Sequence, residues 1–212
     1  MTPGAPTGPT VDRILRTFLR LVAERGIDAT TTRVLAEKAG VNEVTIFRLF
    51  GGKSELAAEA LRRFAPAQDL DEHPLAIDTS SPERVVEDLV AILDLLRHSM
   101  TEHPEFIQFG MAEYWRLPHL RDQIAATPRA ARRLVERALM AAAPALRPGL
   151  DYKAASLSLV GMVLVSVVWP SRGWLEFGEA DWRVASTQAV RCLLRCDATA
   201  TVTGPLQPVR PL

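Results

Sequence analysis

The chain has 212 residues, with 25 basic and 25 acidic side chains balancing to no formal net charge and a 48% hydrophobic fraction. This is the composition of a globular protein with a sizeable core, and the length suits a small module plus a larger one. Two cysteines, Cys192 and Cys196, argue against a disulfide scaffold and for a reducing compartment, and Met1 to Pro9 lacks the apolar core of a signal peptide.

The predicted elements are all helices. Ile14, Phe18, Leu21 and Val22 recur at i, i+4, i+7 and i+8, so Val11 to Arg25 is expected to form an amphipathic helix, capped by Thr10 and ended at Gly26. A short helix from Thr32 to Ala39 follows, with Thr31 or Thr32 as cap and Gly40 as a left-handed stop. Asn42 is placed to cap a third, Glu43 to Phe50, and Ser54 a fourth reaching Phe64. Pro66 to Ser81 is polar, acidic and proline-bearing, and reads as a connection. Ser81-Pro82-Glu83 then starts a helix whose buried stripe is Leu89, Ile92, Leu93, Leu96 and Met100. Further helices are expected over Pro104 to Trp115, Leu120 to Ala143, Asp151 to Trp169 and Asp181 to Cys196. The tail from Ala198 is dotted with prolines and is expected to fray.

The short helices around Gly40 are the informative part. Two helices joined by a tight glycine turn cross steeply, as in a helix-turn-helix. Leu35, Ala36, Val41, Ile46 and Phe50 are assigned to holding that unit together. Arg33, Lys38, Glu43, Val44, Thr45, Phe47, Arg48 and Lys53 are left for its outer face and ends. A helix lying in the major groove reads bases chiefly through its N-terminal residues. Thr45 and Arg48 can bond base edges there, Glu43 can accept from cytosine, and Val44 can pack on a thymine methyl. Asn42 sits at the same helix start, while Thr31, Thr32, Lys53 and nearby helix N-termini suit phosphates. Residues 1–65 carry ten Lys/Arg against seven Asp/Glu, a modest excess that fits a polyanion partner. A helical corner with ordinary surface charges is the competing reading. The joint spacing of Gly40, Asn42, Thr45, Phe50 and Lys53 argues against it.

The run ILRTFLRLVAERGIDATTTRVLAEKAGVNEVTIFRLFGGKSEL, Ile14 to Leu56, resembles the DNA-binding domain of tetracycline-repressor-like (TetR family) regulators. The matching points are the AERG helix end, the paired threonines, the LAEKAGV turn, the T-I-F-x-x-F recognition helix and the following K-x-E-L. The resemblance implies an all-α homodimer with a three-helix, helix-turn-helix DNA-binding domain and a larger helical ligand-binding and dimerisation domain. It places Thr32 and Lys53 on phosphates, and Arg33, Glu43, Val44, Thr45 and Arg48 on bases or in the groove. Two positions depart from the family pattern: Phe47 replaces a phosphate-donating tyrosine, and Gly51-Gly52 replaces the usual residues before Ser-Lys. The expected layout is a disordered tail over 1–9, a DNA-binding domain over 10–53, a ligand-binding and dimerisation domain over 54–197 and a flexible tail over 198–212.

In the second part, Ala154 to Trp169 holds sixteen residues without a charge. That is short of the roughly 20 residues a membrane span needs, and it is interrupted by Ser156, Ser158, Gly161 and Ser166, so burial against a second subunit is preferred. With the last helix it would form a four-helix dimer interface, which a charge at Val163 or Val165 should disrupt. Met100, Phe106, Phe109, Met111, Tyr114, Trp115 and Trp169 are candidates for an effector pocket, with core packing as the alternative for each. The absence of an arginine cluster favours a largely apolar effector. Cys192 and Cys196 lie four apart and read as small interface hydrophobes. The four histidines have no partners at metal-ligand spacing, no catalytic constellation stands out, and Glu102, Glu105 and Glu113 read as helix-surface acids. No cofactor, metal or enzymatic activity is expected. The expected protein is a bacterial, cytoplasmic regulator, most simply a repressor that binds a palindromic operator as a homodimer and is released by a small effector. The alternative is a helical module whose first domain docks a protein.

Overall fold

The computed structural model describes residues 7–65, 67–102 and 104–195. Cys196, His103 and most of the two expected tails lie outside the described residues. Helix α1, Pro9–Ala29, starts with proline in its first turn, where the missing N–H costs nothing, so it begins ahead of the expected cap Thr10. Gly26 interrupts it at φ 80°, ψ 164°, a conformation essentially restricted to glycine, and one more turn follows to Ala29. Gly26→Ala is therefore expected to cost about 1–3 kcal/mol of stability, measured by urea unfolding, through backbone strain alone. A Cβ there would meet its nearest neighbour, Glu113 Oε1, at an ordinary 3.8 Å.

Helices α2 (Thr32–Ala39) and α3 (Glu43–Phe50) have the expected ends. The Thr31 hydroxyl accepts from Val34 N–H, Asn42 Oδ1 accepts from Val44 N–H, and Gly40 closes α2 at φ 63°. Helix α4, Lys53–Phe64, starts after Gly52 and has no side-chain cap. Ser54 instead pairs with His119 Nε2 at 2.7 Å. The segment read as a connection contains a short helix α5, Ala67–Glu72. Leu70 is buried there, and Asp71 takes a bidentate pair from Arg133 at 2.9 and 2.6 Å. That pairing holds the Asp71 carboxyl below its ordinary value.

Helices α6 (Pro82–Glu102), α7 (Pro104–Glu113), α8 (Arg121–Ala141), α9 (Tyr152–Ser171) and α10 (Glu179–Arg191) complete the chain. Ser81 Oγ accepts from Arg84 N–H at 3.3 Å, as its place before Pro82 suggests. Helix α7 stops two residues short of Trp115. Helix α10 ends at Arg191, so Cys192 lies just past the helix, exposed, and the helical spacing assumed for the cysteines does not extend across them.

Two apolar clusters organise the molecule. The first joins α1 to α4 through Phe18, Leu19, Ile46, Leu56 and Leu61. It also takes Phe109 of α7 and Leu120, so this core crosses the domain boundary expected at residue 53. The second is built from α6, α8, α9 and α10 around Leu93, Leu96, Leu134, Val163 and Trp182, with Leu70 of α5. Helix α7 thus belongs to the second domain by position in the chain but anchors in the first domain's core, with the Phe109 and Phe18 rings 6.4 Å apart.

By length and composition α9 could cross a membrane, with mean hydropathy 1.8. Its inward face nevertheless packs on its own chain through Ala155, Ser156, Leu159, Val163, Ser166 and Val168. Val163 is 0% exposed, so a charge there would enter the subunit's own core and not an interface.

Candidate functional site

Helix α3 is held from behind by Ile46 and Phe50, which are buried against α1 and α4. Its front is then fixed by helical geometry: Val44 is 70% and Phe47 50% exposed, Arg48 is exposed, and Thr45 is partly exposed. Large apolar side chains left in solvent on a well-packed helix invite a partner. Arg33, Lys38 and Arg48 make no hydrogen bond or ion pair among the described residues, so their charges are available.

Other expected contacts have internal partners. The Thr32 hydroxyl donates to Glu43 Oε1 at 2.6 Å, so the residue assigned to phosphate and the one assigned to cytosine meet each other. Phosphate offers only acceptors, and Thr32 must release Glu43 before donating to one. Lys53 Nζ donates to the Ile27 carbonyl at 2.7 Å, which uses one of its three protons. Thr31 and Asn42 use only oxygen lone pairs in capping, and keep the Thr31 O–H and the Asn42 amide N–H groups for phosphates.

The second feature is a cavity of about 380 Å³ between α6, α7 and α8, closed on one side by Leu164 of α9. Met100, Phe106, Met111, Tyr114 and Trp115 line it as expected. Phe109 and Trp169 do not. Phe109 is fully buried in the first domain's core because α7 turns that side toward α1, and Trp169 lies near the exposed end of α9. Ser99, Ile124, Thr127 and Pro128 contribute lining that was not anticipated. Among the described residues, no lining side chain is charged. Arg121 sits over the Tyr114 and Trp115 rings at 5.6 and 5.3 Å, and its Nε donates to the Tyr114 carbonyl.

Between the two features stands Glu113, expected to be a surface acid and found 1% exposed. Its Oε1 accepts from the Ile27 N–H at 3.0 Å in a buried bond, and its Oε2 has no hydrogen-bond partner. Arg116 Nε is 3.7 Å from Oε2, and Arg116 also pairs with Asp28. One residue, Ile27, is therefore held at its N–H by α7 and at its C=O by Lys53 of α4. The sequence held a faint signal: Glu113 follows Phe109 by four, so both share one helix face.

This arrangement defines a helix-turn-helix protein whose reading helix is presented by one core while a second helical domain holds an apolar cavity. Residues 14–60 match the family described as bacterial regulatory proteins, tetR family. The chain belongs to that family. It is 31% identical over 125 residues to the uncharacterized HTH-type transcriptional regulator YvkB of Bacillus subtilis (strain 168), covering 50% of this chain and 66% of that protein. It is 33% identical over 66 residues to the HTH-type transcriptional repressor KstR2 of Mycolicibacterium smegmatis (strain ATCC 700084 / mc(2)155), covering 30% of this chain and 32% of that protein. Its fold is similar to the ketosteroid transcriptional regulator KstR2 of Mycobacterium tuberculosis, with TM-score 0.62 and 20% identity over 90% of this chain and 98% of that one.

Proposed function

We propose that the chain is a DNA-binding transcriptional regulator. It acts as a homodimer on an inverted-repeat operator, most simply as a cytoplasmic repressor, and a small, largely apolar effector releases it. The observation that carries the DNA half is the front of α3: Val44, Thr45, Phe47 and Arg48 project from a helix rigidly backed by Ile46 and Phe50, and Arg33, Lys38 and Arg48 have no counter-charge among the described residues. The names of the relatives, regulators and a repressor, support the same reading.

A second copy is supported by apolar residues that the single chain leaves uncovered on α9 and α10, Leu157 at 66% and Val184 at 57% exposure. Both helices pack on α6, so one covering subunit can reach both. A two-fold axis would set the two α3 helices about 34–36 Å apart, for successive major grooves. The proposed boundaries are a reading domain through α4 and an effector and dimerisation domain from α6 onward.

The effector half rests on the uncharged cavity and on α7, one side of which lines that cavity while the other carries Glu113 to the end of α1. An effector that prefers a shifted α7 can misplace α1, and through Lys53 the start of α4, by population shift. Its effect on DNA is limited by its differential affinity for the two states.

Selection of bound duplexes from a random pool, followed by anisotropy titration at two salt concentrations, tests the proposal. An enriched inverted repeat with steep salt dependence supports it. The exposed Val44 and Phe47 would also suit a docked protein; salt-insensitive binding with no enriched sequence would favour that reading. Lys53→Ala is expected to weaken all duplexes alike. Thr45→Ala and Arg48→Ala should each also reduce discrimination by about 1–3 kcal/mol, read from matched and mismatched duplexes. Unchanged discrimination in both would show that another face reads DNA.

A further inference from the structure

The bond from the Thr32 hydroxyl to Glu43 Oε1, 2.6 Å long, crosses the joint between the first residues of α2 and α3. The two residues stand 11 apart in the chain, and both are partly buried. Among the described residues Glu43 has no cation partner: Arg33, beside Thr32, is exposed and does not pair with it, and Oε2 accepts no hydrogen bond. The carboxylate is held instead by one neutral hydroxyl and by its place in the first turn of α3, where a helix favours negative charge. It therefore keeps its charge, a fixed direction and one unused oxygen, at the end of the helix that reads base edges.

The adjacent threonines divide the work differently from what the family resemblance implies. Thr31 accepts from Val34 N–H through a lone pair and keeps its own O–H for a phosphate. Thr32 has one O–H and gives it to Glu43. A phosphate could take that proton only by stripping Glu43 Oε1 of its donor and setting a second anion beside the carboxylate.

We propose that Thr32 is a positioning residue for base reading and not a phosphate contact. It fixes Glu43 so that Oε2 accepts from the N4 amino group of one cytosine in each operator half-site. This rests on the DNA half of the function above and names a base that α3 selects. A carboxylate has acceptors only, and cytosine is the base whose own major-groove edge offers a donor alone. Adenine sets N7 beside its amino group, while guanine and thymine present acceptors, which the charge repels. An untethered glutamate side chain would sweep over neighbouring bases; the bond to Thr32 aims it at one.

The test uses the full chain, its selected operator and duplexes carrying every single base-pair change, titrated by anisotropy. Glu43→Ala should lose a cytosine preference of about 5- to 150-fold at one position per half-site and leave the other positions unchanged. Thr32→Val keeps the shape and should lose much of the same preference at the same position, whereas Thr32→Ser should retain it. The double variant should discriminate no worse than Glu43→Ala alone, because the hydroxyl acts only through the carboxylate. Melting curves check that each variant is folded. Three results would each overturn the proposal while leaving the regulator reading standing. One is a Thr32→Val protein weakened on every duplex by a common factor with its cytosine preference intact, the signature of a phosphate contact. Another is a Glu43→Ala protein with every base preference unchanged. The third is a double variant that loses further preference at that position. If the unaltered chain binds no operator, the regulator reading fails and this proposal with it.

Discussion

Glu113→Ala is expected to lower the unfolding free energy by about 1–3 kcal/mol, because it leaves the buried Ile27 N–H with no acceptor. It should also loosen the point where the two domains meet. Ile27 is held from both sides, by Glu113 of α7 at its N–H and by Lys53 of α4 at its C=O. Without the first, the Gly26 bend and the turn to Ala29 lose their tie to α7. Operator affinity should then fall, because α1 and the start of α4 lose part of what fixes them. Glu113→Gln keeps a carbonyl oxygen for Ile27 but gives up the charge facing Arg116, and should fall between the two. Chemical unfolding and anisotropy titration of the operator are the measurements. A Glu113→Ala protein with unaltered stability and unaltered operator affinity would show that the contact transmits nothing.

The second large effect concerns assembly. The double variant Leu157→Glu, Val184→Glu is expected to be a folded monomer by light scattering. Both side chains are mostly in solvent on the single chain, so the charges cost the subunit little. Placed across a two-fold interface they would be desolvated and set against their own copies, which costs several kcal/mol. A monomer binds one half-site and loses the gain of binding both together, about 10²- to 10⁴-fold in operator affinity. Val163→Asp behaves differently. Val163 belongs to the core formed with α6 and α8, so that change should unfold the chain and not merely separate two copies. If the double glutamate variant stays dimeric, the second subunit covers some other face.

The behaviour of α9 shows how far sequence reasoning reached. A run of uncharged residues says that a helix is covered on many sides, but not by what. Apolar periodicity nearly vanishes when every position is apolar, so only packing could reveal that Val163 faces inward and Leu157 outward. The last helix posed the same problem: its start and length were approximately readable, whereas its contacts with α6 were not.

The reading domain was legible almost residue by residue. Caps, glycine stops and the positions of Ile46 and Phe50 are set by local rules, each acting within a turn or two of chain. That is why Thr31, Asn42 and Gly40 stand where they were expected, and why the outer face of α3 carries Val44, Phe47 and Arg48. Pairings between distant segments were not legible there. Thr32 with Glu43, Lys53 with Ile27, and Ser54 with His119 join residues 11, 26 and 65 positions apart. No periodic pattern records such distances.

By itself, then, the sequence determined the helical class, the helix-turn-helix and the side chains that it presents, because these follow from backbone preference and amphipathic spacing. Tertiary structure alone decided which apolar residues line a cavity and which fill a core. It placed Phe109 against Phe18, and buried Glu113 on the Ile27 amide. The physical reason is that burial and hydrogen-bond satisfaction belong to the whole packed molecule: an acid four residues from a phenylalanine becomes a surface group or an interdomain tie according to what α1 places opposite it.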